Sequence, residues 1–450
     1  VRILGIGETN DLAAMYHGFV RRGHAVRVHV ADASCRDVHA GLLEFTGDWE
    51  RELGWVREAG EDGLILFETA CHGELQDRLR REGFRVIGGS AAGDRLEADR
   101  GHGQQVLRAA GLRTAASHRF EDYEAARDFV RAHPARYVLK FNGVRSERTR
   151  NFVGEMEDGR DLLALLGLHA ARRQPGEPAP DFVLMEHLDG VEVGVGAYFD
   201  GSDFLQPACI DFEHKHFFPG ELGELTGEMG TIVSYRGSRP LFDAVLAPIA
   251  PLLREGGYVG YINVNLIANE DGLWPLEFTS RFGYPGFAIC EALHLEPWED
   301  IFRRLLRPGA HDGTVRTRAG FSCGVVLSVP PFPYRHGYDE LSKGSPICLR
   351  SSLGPREQSQ LFFAEVAQVG GQLVTSGATG YVGVATGVGD TVPAANAEAL
   401  RVARGVVVPN LRYRRDIGER VWRGDLARLQ SLGWYDNPVS MRMHLHPAMA

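Results

Sequence analysis

Two ionisable residues stand inside apolar runs and need partners. Lys140 interrupts ARYVLKFNG, and an ammonium buried without a counter-charge is costly. A bound anion would remove that cost, and so would a side chain that snorkels to the sheet edge. Glu277 ends the second of two apolar runs joined by Asn-Glu-Asp-Gly, within YVGYINVNLIANEDGLWPLEFTSRFGYP, a pattern that predicts a hairpin in a buried sheet. A carboxylate at such a strand end, followed by Thr279 and Arg281, suits magnesium, which takes carboxylate oxygens together with substrate phosphates. The plain alternative is a carboxylate that faces water. Between them, FVLMEHLDGVEVGVGAYFDG reads as two strands about a Leu-Asp-Gly turn. Glu186 and His187 end the first strand and Glu192 starts the second. Free backbone groups and a ribose-accepting carboxylate there suit a nucleotide clamp; two surface carboxylates flanking a hairpin read equally simply.

DFEHKHFF, residues 211–218, packs His214, Lys215 and His216 beside Glu213. Alternate residues of an extended segment share a face, so the two histidines point one way and Lys215 the other. A zinc site lacks a third ligand nearby, and binding of an anion by Lys215 and protonated imidazoles is the better reading. GEMGT, residues 227–231, reads as a glycine-bounded turn whose amides could cradle an anion, or as an ordinary loop.

The elements that must position these groups begin with a βαβ rhythm. VRILGIG is a strand entering a Gly-x-Gly turn, and a helix covers 11–22. AVRVHV, GLILFE and FRVIGG are further strands, with helical HGELQDRLRREG before the last. A doubly wound parallel sheet follows. Its turn Gly5-Ile6-Gly7-Glu8-Thr9-Asn10 lacks the third glycine of a dinucleotide fingerprint, which makes a nicotinamide oxidoreductase a remote reading. Helices are expected over 100–110, 121–132, 160–173 and 394–403. A basic polar loop, VRSERTRNFVG, follows the Lys140 strand, and the last third is rich in strands and turns.

A chain of 450 residues exceeds one core. A formal charge of −10 without long basic clusters argues against nucleic acid. No run approaches the roughly 18 apolar residues of a membrane span, and no signal-peptide pattern opens the sequence. Six scattered cysteines without a Cys-x-x-Cys pair suit reduced thiols in a cytoplasm. The expected location is therefore cytoplasmic, away from membranes.

The order of these features resembles the ATP-grasp ligases, and among them the glycinamide ribonucleotide synthetases (phosphoribosylamine–glycine ligases). FVLMEHLDGVEVGV is similar to that family's nucleotide-hinge segment, DFEHKH to its Gln-Asp-His-Lys-Arg stretch, GEMG to Gly-Gly-Met-Gly, and LEFTSRFGYP to its metal-bearing Leu-Glu-Phe-Asn-x-Arg-Phe-Gly-Asp-Pro-Glu. GVATGVGDTVPAANAEAL and YRRDIG extend the likeness into the last domain. The resemblance implies an α/β, ATP-grasp fold: a doubly wound domain over 1–112, a lid over 113–184, a central domain over 185–312, a β-rich domain over 313–425 and a tail over 426–450. It implies that Lys140 touches ATP phosphates, that Glu186 and Leu188 lie by adenine, and that Glu192 takes the ribose hydroxyls. Glu277 would hold magnesium, with Thr279 at the second ligand position, while Lys215 and Arg281 neutralise charge. The implied cofactors are ATP and Mg2+, with Mn2+ able to substitute; the implied partners are a small carboxylate and an amine, on a monomer or homodimer. The implied reaction passes through an acyl phosphate that the amine displaces.

Four departures stand against the family pattern. The glycine-rich loop and its lysine are replaced by VRSERTRN, leaving Arg145, Arg148 or Arg150 in their place. The metal-side Asn is Thr279. Asp-Pro-Glu is Tyr284-Pro285-Gly286, and the N-terminal Gly-Gly-Arg-Glu-His turn, near the phosphoribosylamine site, is GETND. A different amine or acid, or an ATP-binding pseudoenzyme, therefore stands beside the family reaction.

Overall fold

Four β-sheets carry the described residues, which are 1–142, 151–174 and 176–436 of a computed structural model. The first sheet is parallel throughout, in the order Glu44–Phe45, Ala25–Val30, Arg2–Gly7, Gly63–Phe67, Val86–Ile87. The expected doubly wound sheet is there, with one change in detail. Gly5 and Gly7 lie within the strand Arg2–Gly7 rather than in a turn. Their missing Cβ atoms make room for the Tyr16 ring and the Glu68 carboxyl, which cross directly over them. The strand expected over 84–89 is only Val86–Ile87, because Gly88 N–H turns away to donate to Val259 O at 3.0 Å.

The sheet within the span expected to form the lid, called the lid sheet for that place in the chain, is antiparallel, in the order Ser117–Phe120, Phe182–Glu186, Tyr137–Phe141, Phe152–Val153. Alternation divides its two faces. Tyr137, Leu139, Phe141, Phe182 and Leu184 pack under the helices Tyr123–Ala132 and Arg160–Arg172 in one buried cluster. Burying each such side chain contributes about 1.5–3 kcal/mol. Asp122 caps the first helix by accepting from Ala125 N–H at 2.8 Å. The opposite face carries Val138, Lys140, Val183 and Met185, since Lys140 pairs with Val183 and Val138 with Met185 and cross-strand partners share a face.

The largest sheet has eight strands, in the order Gly272–Thr279, Gly260–Asn269, Val191–Phe199, Cys209–Phe218, Leu222–Ser234, Phe321–Ser328, Tyr381–Gly389, Leu361–Phe363. Leu222–Ser234 pairs with Phe321–Ser328, so one sheet is continuous across residue 312. The hairpin around Asn269–Gly272 is as expected. The strands Phe182–Glu186 and Val191–Phe199, by contrast, do not pair: the first belongs to the lid sheet and the second to the large sheet. Residues 187–190 are thus a crossing between sheets, not a hairpin turn. A fourth sheet joins Val366–Val369, Gln372–Thr375, Pro346–Leu349 and Val406–Val407. No helix among the described residues is long and apolar enough to cross a membrane.

GEMGT is also corrected. It lies inside the strand Leu222–Ser234, with Gly230 paired to both His214 and Val325. Gly230 and Thr231 are paired on both sides and the segment runs on as strand, so it is not the glycine-bounded turn expected.

Candidate functional site

The large sheet buries one face in an apolar core, and part of its other face is polar, while Tyr198, Cys209 and Tyr261 of that second face join another apolar cluster. Val191, Val193, Val195, Ile210, Phe212, Ile262, Val264, Leu266 and Phe278 join a buried core. The residues between them stand on the opposite face: Glu192 and Gly194, Asp211, Glu213 and Lys215, Asn263 and Asn265, Glu277 and Thr279. Glu277 lies opposite Asn265, and Thr279 opposite Asn263. Gly194 is needed here because a Cβ would run into the Asp211 carboxyl.

Lys140 reaches across from the lid to this face, its Nζ 3.8 Å from Glu277 Oε2 with the side chain 17% exposed. Arg100 approaches the same oxygen to 3.7 Å. It opens the helix Arg100–Ala109, which Asp99 caps by accepting from His102 N–H at 3.0 Å. A cation is unfavourable in the first turn of a helix, so the pull of Glu277 accounts for its placement. Burial lowers the Lys140 ammonium from its ordinary value, with Arg100 and Lys215 adding to the drop and Glu277 opposing it.

Lys215 Nζ donates to Glu192 Oε1 at 2.5 Å and lies 3.2 Å from Glu213 Oε2. Burial alone would raise the Glu192 carboxyl, but the Lys215 charge and hydrogen bond outweigh it and hold Glu192 below the usual range. Lys215 is raised in turn, the three carboxylates Glu192, Glu213 and Glu277 overcoming its desolvation. Arg281 is held by Glu97, Nε to Oε1 at 3.1 Å, and Glu97 also accepts from Ser280 N–H at 2.7 Å.

The structure therefore brings Lys140, Glu192, Lys215, Glu277 and Thr279 to one cleft. Glu186 is exposed at the end of its lid strand, donating its N–H to Ala116 O. Leu188 packs on a small apolar cluster of Ala115, Val183 and Met185, on the same lid face as Lys140. Arg145, with Arg148 and Arg150, lies outside the described residues. The histidines depart from expectation. His214 does face away from Lys215, but its Nε2 accepts from Gly418 N–H at 3.0 Å, and burial drives its pKa down to about 3. It is a neutral packing residue rather than a phosphate-stabilising cation. The His216 ring meets Gly223 O at 3.1 Å.

Several site residues were not picked out from sequence. Asn263 and Asn265 carry a usable signal, amides alternating with apolar residues in INVNL. Arg100 and Glu97 carry none, because only the tertiary fold brings their helices to the cleft. Nearby, YRRDIG clamps the hairpin of Cys209–Phe218 and Leu222–Ser234. Arg414, 1% exposed, binds Asp416, Glu221 and His216 O.

The donor set fits magnesium. Glu277 offers a carboxylate that already draws two cations, and Thr279 offers a neutral oxygen beside it. No group of three His, Cys, Asp or Glu side chains among the described residues is arranged to hold a metal by itself.

Comparison with known proteins agrees with the fold. Residues 98–287 match the family model of the phosphoribosylglycinamide synthetase ATP-grasp (A) domain. The phosphoribosylamine–glycine ligase of Nostoc sp. is 26% identical, over 86% of this chain and 90% of that one. The enzyme of the same name from Corynebacterium ammoniagenes is 25% identical, over 95% and 99%. Among solved structures, phosphoribosylamine–glycine ligase from Thermotoga maritima superposes with a TM-score of 0.69 at 23% identity, covering 93% of this chain and 100% of that one. The chain has an ATP-grasp fold and resembles the phosphoribosylamine–glycine ligases along most of its length.

Proposed function

We propose that this chain is an ATP-dependent carboxylate–amine ligase of the glycinamide ribonucleotide synthetase type. The observation that carries the reading is the meeting of Lys140 from the lid with Glu277 from the large sheet at 3.8 Å, beside the Lys215–Glu192 pair on the same polar face. The apolar patch of Ala115, Val183, Met185 and Leu188 receives the adenine with Glu186 at its rim, and Glu192 takes the ribose hydroxyls. Lys140 meets the phosphates, drawing away from Glu277 as they arrive. Glu277 and Thr279 are the residues that would hold Mg2+, which supplies positive charge to the phosphate oxygens. Lys215 and Arg281 add positive charge around the transferred group. Phosphoryl transfer asks chiefly for positioning and electrostatic stabilisation.

In the first step a carboxylate oxygen attacks the γ-phosphorus and ADP leaves. In the second, the amine nitrogen bonds to the acyl carbon as the bond to phosphate breaks. An ammonium gives up one proton to become the nucleophile, and the second leaves as the amide forms. The division of the chain read from its sequence makes residues 113–184 the lid, hinged at 187–190, whose closure excludes water before the acyl phosphate forms.

The test is Mg2+-dependent ADP release with glycine, with and without phosphoribosylamine generated in situ, or with other carboxylates and amines. Amide product with stoichiometric ADP supports the reading, and Glu277→Gln should lower the rate about a hundred- to a thousandfold. A protein that binds ATP but forms no amide or acyl phosphate with any carboxylate refutes it.

A further inference from the structure

In an open α/β sheet, ligands enter at the carboxyl ends of the strands, and an amide-lined helix N-terminus there is a natural seat for phosphate. In this chain that seat is filled from within. The turn after Arg2–Gly7 leads into the helix Ala13–Arg21, and the amide of Asp11 donates to Glu68 Oε2 at 2.9 Å. Glu68 is 1% exposed, and its carboxyl lies over Gly7 where any Cβ would overlap it. Its charge is disfavoured there, first by burial and then by the neighbouring Asp11. Together they push its pKa up to about 8, although backbone amides of Asp11 and Asn10 and the Tyr16 hydroxyl oppose the rise. A phosphate dianion would enter a place that already disfavours one carboxylate.

The surroundings suit the opposite charge. Tyr284 and Tyr381 lie against one another, ring centroids 5.0 Å apart. The Tyr381 hydroxyl makes no hydrogen bond although the residue is 7% exposed, and it lies in the field of Glu228, Asp11 and Glu365. Glu228, 8% exposed, accepts the Thr231 hydroxyl. Glu365 is already engaged by Thr379 and the Gly380 amide. Arg281 also feels Asp11, but it is bonded to Glu97. Carboxylates, two aromatic rings and an unpartnered phenol together would attract an organic cation, because aromatic faces and carboxylates both attract ammonium groups. Asp11 meanwhile accepts only the Thr9 hydroxyl among the described side chains, at 2.6 Å.

Resting on the ligase reading above, we propose that the acceptor is a non-phosphorylated, positively charged amine, received by Asp11 and Glu228 against the Tyr284–Tyr381 pair. The departures GETND and Tyr284-Pro285-Gly286 then acquire a common purpose. They exchange a phosphate-bearing acceptor for a cationic one.

Calorimetry on the full chain with MgADP tests this with two probes, 1,4-diaminobutane and ribose 5-phosphate. The diamine should bind and the sugar phosphate should not. Asp11→Asn should weaken the diamine about tenfold or more, as loss of a charged partner does. Should that variant fail to unfold cooperatively in urea, Tyr381→Phe provides the second probe, since it keeps the ring and removes the unpartnered hydroxyl; it too should weaken the diamine. Binding of ribose 5-phosphate that Asp11→Asn leaves unchanged or tightens overturns the proposal, as does failure of the diamine to bind. A parallel reaction with ATP, a panel of carboxylates and hydroxylamine, which traps any acyl phosphate as a hydroxamate, reads the ligase chemistry separately. No hydroxamate refutes the ligase reading while the calorimetry still decides for or against a cation site.

Discussion

Lys140→Met removes an ammonium held 3.8 Å from Glu277, and its effects on binding and on stability should run in opposite directions. At an effective dielectric of 20, a pair at that distance attracts by about 4 kcal/mol. The ammonium is nonetheless lowered from its ordinary value of 10.5, because burial outweighs that attraction and Arg100 and Lys215 add repulsion. In the free protein the charge is therefore a net burden. Glu277 keeps Arg100 at 3.7 Å in the variant, so folding stability should be unchanged or raised by up to about 1 kcal/mol. The pH dependence has a definite sign. Between the lowered folded pKa and 10.5 the unfolded chain holds more protons, so wild-type stability gains with rising pH there. The burden is complete below the folded pKa and gone above 10.5, and the advantage of the variant should shrink across that window. Turnover should fall by the 2.7–4 kcal/mol, roughly a hundred- to a thousandfold, expected for losing one electrostatic contact to the transferring group. Urea unfolding at several pH values, with ADP release and ATP calorimetry, reads both sides. A variant less stable than wild type by over about 1 kcal/mol, with ATP affinity and rate intact, would refute the reasoning.

Glu68 predicts a second pH signature of opposite sign. With its folded pKa near 8 against an ordinary 4.5, the folded protein holds the extra proton, so stability should fall as pH climbs from 4.5 to 8, by at most about 5 kcal/mol at 1.36 kcal/mol per unit. Glu68→Gln should flatten that slope in urea titrations. Gly194→Ala should cost about 1–3 kcal/mol, the usual cost of overpacking, because its Cβ meets the Asp211 carboxyl; an unchanged urea midpoint would contradict this. Arg414→Leu should destabilise by about 3–5 kcal/mol by leaving Asp416 and Glu221 without their buried partner, and thermal unfolding checks it.

Much of the cleft was legible because the sheet alternation that builds it is written locally. Lys140 and Glu277 stood out as charges in apolar runs, and Glu192 and Lys215 followed from the family resemblance and from strand alternation. What local patterning could not supply was partnership between sheets. FVLMEHLDGVEV looks like a hairpin because a turn signal separates two apolar runs, yet each strand finds a better edge elsewhere. GEMGT looks like a turn because glycines usually break strands, but here they sit in a paired strand where Gly230 faces Gly324 O and Ile417 too closely for a side chain. His214 looked functional until Gly418, two hundred residues on, supplied its hydrogen bond. Arg100 and Glu97 depend on helix placement that no short window encodes.

The continuity of the eight-stranded sheet across residue 312 has a practical consequence for dissecting the molecule. Cutting the chain between His311 and Thr314, beyond Trp298–Leu305, would separate Leu222–Ser234 from Phe321–Ser328. Each half would then expose a freshly opened strand edge, the kind of template that recruits other chains. The two fragments should aggregate when expressed alone and recover solubility when co-expressed, reassembling along that seam. A protease nick at the same point in the intact protein should leave a complex that still migrates as one species.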